Sequence, residues 1–286
     1  MNLNDLVDKI KNKKINKIYK ISFFLFIIII CNFFLETVKF SVKAEHISLN
    51  SFRYSNLTEV INKTDKTTYD DLVFIKKETR STADGRYGNG RFDATFFIFK
   101  AKYKIGNDIE ILVNSEFETH EKVAEVALRF SKMAGQLPVF LKKKIKWIII
   151  HGPWVDKSKC TCRWYAFRDA GIYIHTEMVE KKEQEETLIH EAGHVSIDSR
   201  FYGSHNHHIW ENAQKLDNNY ISHYAKEFPD REDIAESILA WVSVRCKESR
   251  ISKLIKKDII KTIPNRLKIL DNLINKYETY PLTCKF

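Results

Sequence analysis

His190-Glu191-Ala192-Gly193-His194 sets two imidazoles four residues apart, with a carboxylate next to the first. Residues at i and i+4 of a helix lie one above the other on a single face, so both rings can grip one metal ion. Glu191 points beside such an ion, where it can accept a proton from a water held there. The spacing is the zinc-peptidase pattern. Its flanks favour a helix, since Leu188, Ala192 and Val195 line one side of it. Gly193 costs about 1 kcal/mol against alanine in a helix interior, which points to close packing against a neighbour.

Two imidazoles are not enough. A catalytic zinc has three protein ligands and keeps its fourth position for water or substrate. A third histidine six residues past His194, preceded by a glycine, is excluded because Ile197 and Arg200 hold those positions. A glutamate from a later helix is the other solution, and Glu232-Asp233-Ile234-Ala235-Glu236 offers two. Glu232 and Glu236 share a helical face, away from the apolar stripe of Ile234, Ile238 and Val242. One carboxylate can bind the metal while the other orients a ligand histidine. The plainer reading is a solvated acidic helix start, favoured by the helix dipole.

The HEAGH run, combined with Tyr224-Ala225 and the later Pro229-Asp230-Arg231-Glu232-Asp233-Ile234-Ala235-Glu236, resembles the gluzincin peptidases. It is most similar to the catalytic domain of anthrax lethal factor and its relatives, over roughly residues 185–245. The resemblance implies one zinc ion per chain, held by His190, His194 and Glu232, with Glu236 orienting a ligand histidine. It implies Tyr224 as support for the oxyanion. The gap from Tyr224 to Glu232 is one residue longer than in the toxin, which leaves Tyr220 as an alternative. No counterpart of the toxin's receptor-binding or substrate-binding domains is present, so its substrate does not carry over.

Other histidines compete for attention. His205, His207 and His208 follow the motif in a polar loop and read as exposed side chains rather than a second metal site. His175 ends a GIYIHT strand, either as part of a cleft edge that pairs with extended substrate or as a plain strand end. Trp210 and Trp241 read as core. The Gly-rich stretch 81–91 does not match a phosphate-binding loop.

The elements that must position the motif follow from periodicity. Residues 92–103 and 108–114 read as strands joined at Ile105-Gly106-Asn107. Residues 118–134 have helical spacing, closed by Gly135 as a C-terminal cap. Short strands are expected at 147–150 and 171–176, and the motif helix from about 179 to 199. A partly helical stretch at 210–227 follows, then a helix capped by Asp230 and running to about Cys246, then basic amphipathic helices over 251–278. Strands first and helices afterwards predict an α+β fold. The expected form is a zincin-like domain, with a small mixed sheet, an active-site helix and a helical C-terminal half.

The N-terminus reads as a targeting segment. A basic stretch over residues 1–20 precedes the apolar run from Ile21 to Leu35, and Val42-Lys43-Ala44 suits cleavage after Ala44. A predominantly apolar run of fifteen residues is short for a membrane span, which favours a secretory signal over an anchor. Either places the rest outside the cytosol. Residues 1–44 carry 8 basic and 3 acidic groups, leaving 39 against 34, so the basic character gives no reason to expect nucleic-acid binding. The expected partner is a protein or peptide substrate, with membrane contact only through the anchor. Residues 45–80 read as a lead-in or propeptide and 81–286 as the catalytic domain. Cys160, Cys162, Cys246 and Cys284 remain beyond the signal, an even count that suggests two disulfides in an oxidising compartment. Asn56-Leu57-Thr58 and Asn62-Lys63-Thr64 are glycosylation sequons. The rival functional reading is a secreted binding or structural protein that keeps the zincin fold without essential catalysis.

Overall fold

The computed structural model describes residue 57 and residues 60–84, 91–117, 119–152, 164–167, 170–176 and 183–277. These belong to one compact unit, Leu49–Phe286. The expected signal or anchor, Cys160, Cys162, Cys284 and Asn56 lie outside the described residues, and with them any test of the disulfide pairing. No described helix is long and apolar enough to cross a membrane.

The architecture is α+β. Among the described residues, six strands form one mixed sheet in the order β1-β2-β3-β4-β6-β5. They are β1 (Tyr69–Ala83), β2 (Arg91–Tyr103), β3 (Ile109–Asn114), β4 (Trp147–His151), β5 (Tyr165–Phe167) and β6 (Gly171–His175). β1, β2 and β3 pair antiparallel, β3–β4 and β4–β6 pair parallel, and β5 adds an antiparallel edge. The parallel step from β3 to β4 is made by α1 (His120–Ala134) and α2 (Val139–Lys142), as a parallel pair requires a crossover.

β1 crosses the expected boundary between a lead-in or propeptide over 45–80 and a catalytic domain from 81. The chain pairs with β2 from Tyr69 to Ala83, so a boundary at 80 would cut a strand. The segment before it is also tied down: Asp65 accepts from Arg250 and, at 3.3 Å, from Lys247. α1 buries Val123, Val126, Ala127, Phe130 and Met133 and is capped by Thr119, whose side chain accepts from the Lys122 amide. Gly135 closes it at φ −69°, not in the left-handed region. A glycine is needed there for space: a Cβ would stand 2.1 Å from Thr67 Oγ1 and 2.7 Å from the Tyr69 amide nitrogen. Gly106, at φ 96°, makes the turn between β2 and β3.

Alternation along the strands gives the sheet two apolar faces. Phe97, Phe99, Ile111, Val113, Ile148, Ile150, Ile172 and Ile174 join the main core with the helices. Phe96, Ile98, Leu112, Ile149 and Tyr173 form a smaller cluster on the other side. Lys142 is buried within the helix side of the fold, its ammonium donating to Thr68 Oγ1 and Ile105 O, each at 2.8 Å, over the Tyr103 ring.

The helical half comprises α3 (Gln184–Ser196), α4 (His207–Asp217), α5 (His223–Glu227), α6 (Asp233–Arg245), α7 (Lys253–Thr262) and α8 (Pro264–Tyr277). α3 is buried on nearly every side, as expected of a helix held between the sheet and α6. Gly193 lies at the crossing with α6, where an added Cβ would meet Ala235 Cα at 3.4 Å and Ile238 Cβ at 3.6 Å.

Candidate metal centre

Burial and hydrogen bonding fix the N-terminus of α6. Asp233, fully buried, accepts from Trp210 Nε1 and Gln214 Nε2, each at 2.9 Å, and from Arg266 at 2.5 Å. Arg266 reaches across from α8 and also binds Asp217 at 2.9 Å and the Asn219 carbonyl. A buried ion pair so satisfied holds the backbone around it. Glu232 is the residue just before, and its amide donates to Phe228 O at 2.8 Å. It occupies the N-cap position expected for Asp230 and points its carboxylate at α3.

The result is a three-atom convergence. Glu232 Oε2 lies 3.2 Å from His190 Nε2 and 3.1 Å from His194 Nε2, and the two Nε2 atoms are 3.1 Å apart. His190, His194 and Glu232 thus form a group able to hold a metal ion. The opposite ring nitrogens are engaged by carboxylates. His190 Nδ1 lies 3.0 Å from Glu236 Oε1, and His194 Nδ1 lies 2.7 Å from Asp198 Oδ2. With its proton on Nδ1, facing the carboxylate, each neutral ring would offer Nε2 as a lone pair. Two lone pairs and a carboxylate oxygen then face one another, an arrangement that needs a cation. Tetrahedral ligands at zinc bond lengths stand about 3.3–3.5 Å apart, close to the observed spacing, so the residues fit such an ion.

Without a metal, protons serve instead. Burial pulls the His194 imidazole down, but hydrogen bonds to Asp198 and Glu232 outweigh it and hold the ring up at about 10. His190 is likewise raised against its burial by Glu232 and Glu236. Glu232 is raised by burial yet lowered far more by the two imidazoles, so its carboxyl sits well below the ordinary range. Its other oxygen accepts from Arg231 Nε at 3.0 Å.

The chain matches no protein-family model, no curated protein and no solved structure.

Glu191 is buried on the same helix, near enough that its charge adds to the rise at His194. Tyr224, on the short helix α5, lies with its ring centroid 6.3 Å from that of His190. Tyr220 instead sits under the Arg266 guanidinium, 5.1 Å from its ring centroid, in the network that anchors α6. Glu232 and Glu236 take different places: the first faces both Nε2 atoms, the second only His190 Nδ1.

Asp198 was not among the residues singled out from the sequence. Its signal was present, since it follows His194 by four residues, the same spacing that joins the two histidines. His205 and His208 are exposed, and His207 pairs with Glu211 at 3.3 Å from the first turn of α4 rather than from a loop. Trp210 and Trp241 are core residues, as expected. His175 is buried beside Asp84 and His151.

Proposed function

We propose that this chain is an exported zinc-dependent endopeptidase of the gluzincin type, built on a zincin-like fold. The observation that carries the reading is the convergence of His190 Nε2, His194 Nε2 and Glu232 Oε2 within 3.2 Å, with carboxylates behind both rings. Neither a structural zinc site nor a binding surface needs the buried carboxylate of Glu191 next to that group.

Zinc bound there would supply Lewis-acid polarisation of the scissile carbonyl and acidify a water. Glu191 takes the proton from the attacking water and passes it to the leaving amine. Tyr224 donates from its hydroxyl to the oxyanion as charge develops. Glu236 and Asp198 keep the imidazoles turned toward the metal position. Export rests on the basic and apolar N-terminus, and places the substrate, a protein or peptide, outside the cytosol.

The test is Glu191→Gln, which keeps shape and zinc but removes the base. Cleavage of a peptide library by the mature chain should fall about 10²–10⁴-fold, with zinc content unchanged. Undiminished biological effect in that variant would favour the binding-protein reading and overturn this one.

A further inference from the structure

We propose that Asp84, His151 and His175 form a second site for a divalent transition-metal ion, separate from the HEAGH centre. All three are buried, with at most 1% exposure. Each stands at the end of a strand: Asp84 follows β1, His151 ends β4 and His175 ends β6, where the two histidines are paired in register. Their rings stack with centroids 5.2 Å apart.

The site lies across the sheet from α3. His151 alternates with Trp147 and Ile149, and His175 with Tyr173, on the face of the smaller apolar cluster. The HEAGH helix packs its Leu188 and Ile189 into the main core on the other face.

The chemistry of the donors is specific. The carboxylate of Asp84 is divided between the rings, Oδ1 lying 3.1 Å from His175 Nε2 and Oδ2 lying 3.3 Å from His151 Nδ1. Asn114 constrains the second contact. The Glu116 amide donates to Asn114 Oδ1 at 3.2 Å, which turns the Asn114 NH2 toward His151 Nδ1, also at 3.2 Å. With a donor on that side, His151 Nδ1 presents a lone pair. An ion between that nitrogen and Asp84 Oδ2 would take the lone pair over from the Asn114 amide and neutralise a carboxylate held at zero exposure. Two imidazole nitrogens and one carboxylate oxygen select zinc or a similar ion over magnesium or calcium. Such an ion would clamp the ends of β1, β4 and β6.

The experiment is a zinc count on the dialysed full chain. Two equivalents are expected. The double variant His190→Ala/His194→Ala should retain one, and Asp84→Asn/His175→Gln should retain the other. A single equivalent lost with His190 and His194 overturns this site and leaves the peptidase reading standing. A single equivalent lost only with Asp84 and His175 supports this site and overturns that reading. Anomalous scattering at the zinc edge from wild-type crystals needs no variant to fold. Peaks at both groups are expected, and a peak at His190 alone would refute the second site.

Discussion

At the residue scale, the two glutamates of the Glu232–Glu236 pair have separable parts. Glu232 presents one oxygen to both Nε2 atoms, so Glu232→Ala should lose zinc and activity together. Glu236 touches the metal position only through His190, so Glu236→Ala should keep measurable zinc while losing about 10–100-fold in affinity or activity. Asp198→Ala should resemble Glu236→Ala, through His194. Zinc titration of the three variants against a fluorescent chelator ranks them. The order fails if Glu236→Ala is metal-free and Glu232→Ala is not. Acidity gives an independent check. His194 holds its proton up to about 10 in the metal-free protein, above its unfolded value. Its contribution to metal-free stability is therefore full below about pH 6.5 and lost as pH rises through about 10. Zinc must displace that proton, so apparent zinc affinity should climb over the same window. Calorimetry in buffers of different ionisation heat would register the released proton, and a pH-independent affinity would contradict the geometry.

At the element scale, the motif helix and its partner were legible because their signals are local. The i, i+4 histidines, the Glu232/Glu236 pair and the glycine at the helix crossing are all readable as spacing. What escaped was set by distant contacts. β1 is rich in Lys, Glu, Thr and Asp, with Phe74 and Ile75 exposed, so it lacks the clean alternation of a half-buried strand. Its pairing with β2 over its whole length defines it instead. β5 has only three residues, too few for a period. The start of α4 at His207 carries no side-chain cap, which hid it in an apparent loop. Asp84, His151 and His175 lie far apart in sequence, and no spacing rule joins them. The crossing at Gly193 is testable. Gly193→Val would force a branched side chain against Ala235 and Ile238, at a cost of about 1–3 kcal/mol. It should push α6 and Glu232 away from α3, lowering the melting temperature and zinc retention together. Loss of neither would mean that the crossing has slack.

At the scale of the whole molecule, the folded unit starts before residue 81. Tyr69–Ala83 is one of the two edge strands of the sheet, and Asp65 is tied to Arg250 near the other end of the chain. A protein trimmed to residue 56 should unfold cooperatively, whereas one trimmed to residue 80 should be soluble only with difficulty and melt far lower. Circular dichroism of both decides it, and equal melting would restore 45–80 as a dispensable propeptide. Arg266 has a further consequence. It comes from α8, close to the last described residues, yet it secures Asp233, the neighbour of the metal-facing Glu232. A chain leaving the ribosome or crossing a membrane in the N-to-C direction therefore has both histidines in hand long before the carboxylate that completes them is locked. In such a chain the group would be completed only once α8 has docked and Arg266 has closed on Asp233. A chain halted before Pro264 should consequently emerge with little zinc, even though every ligand is already in its sequence.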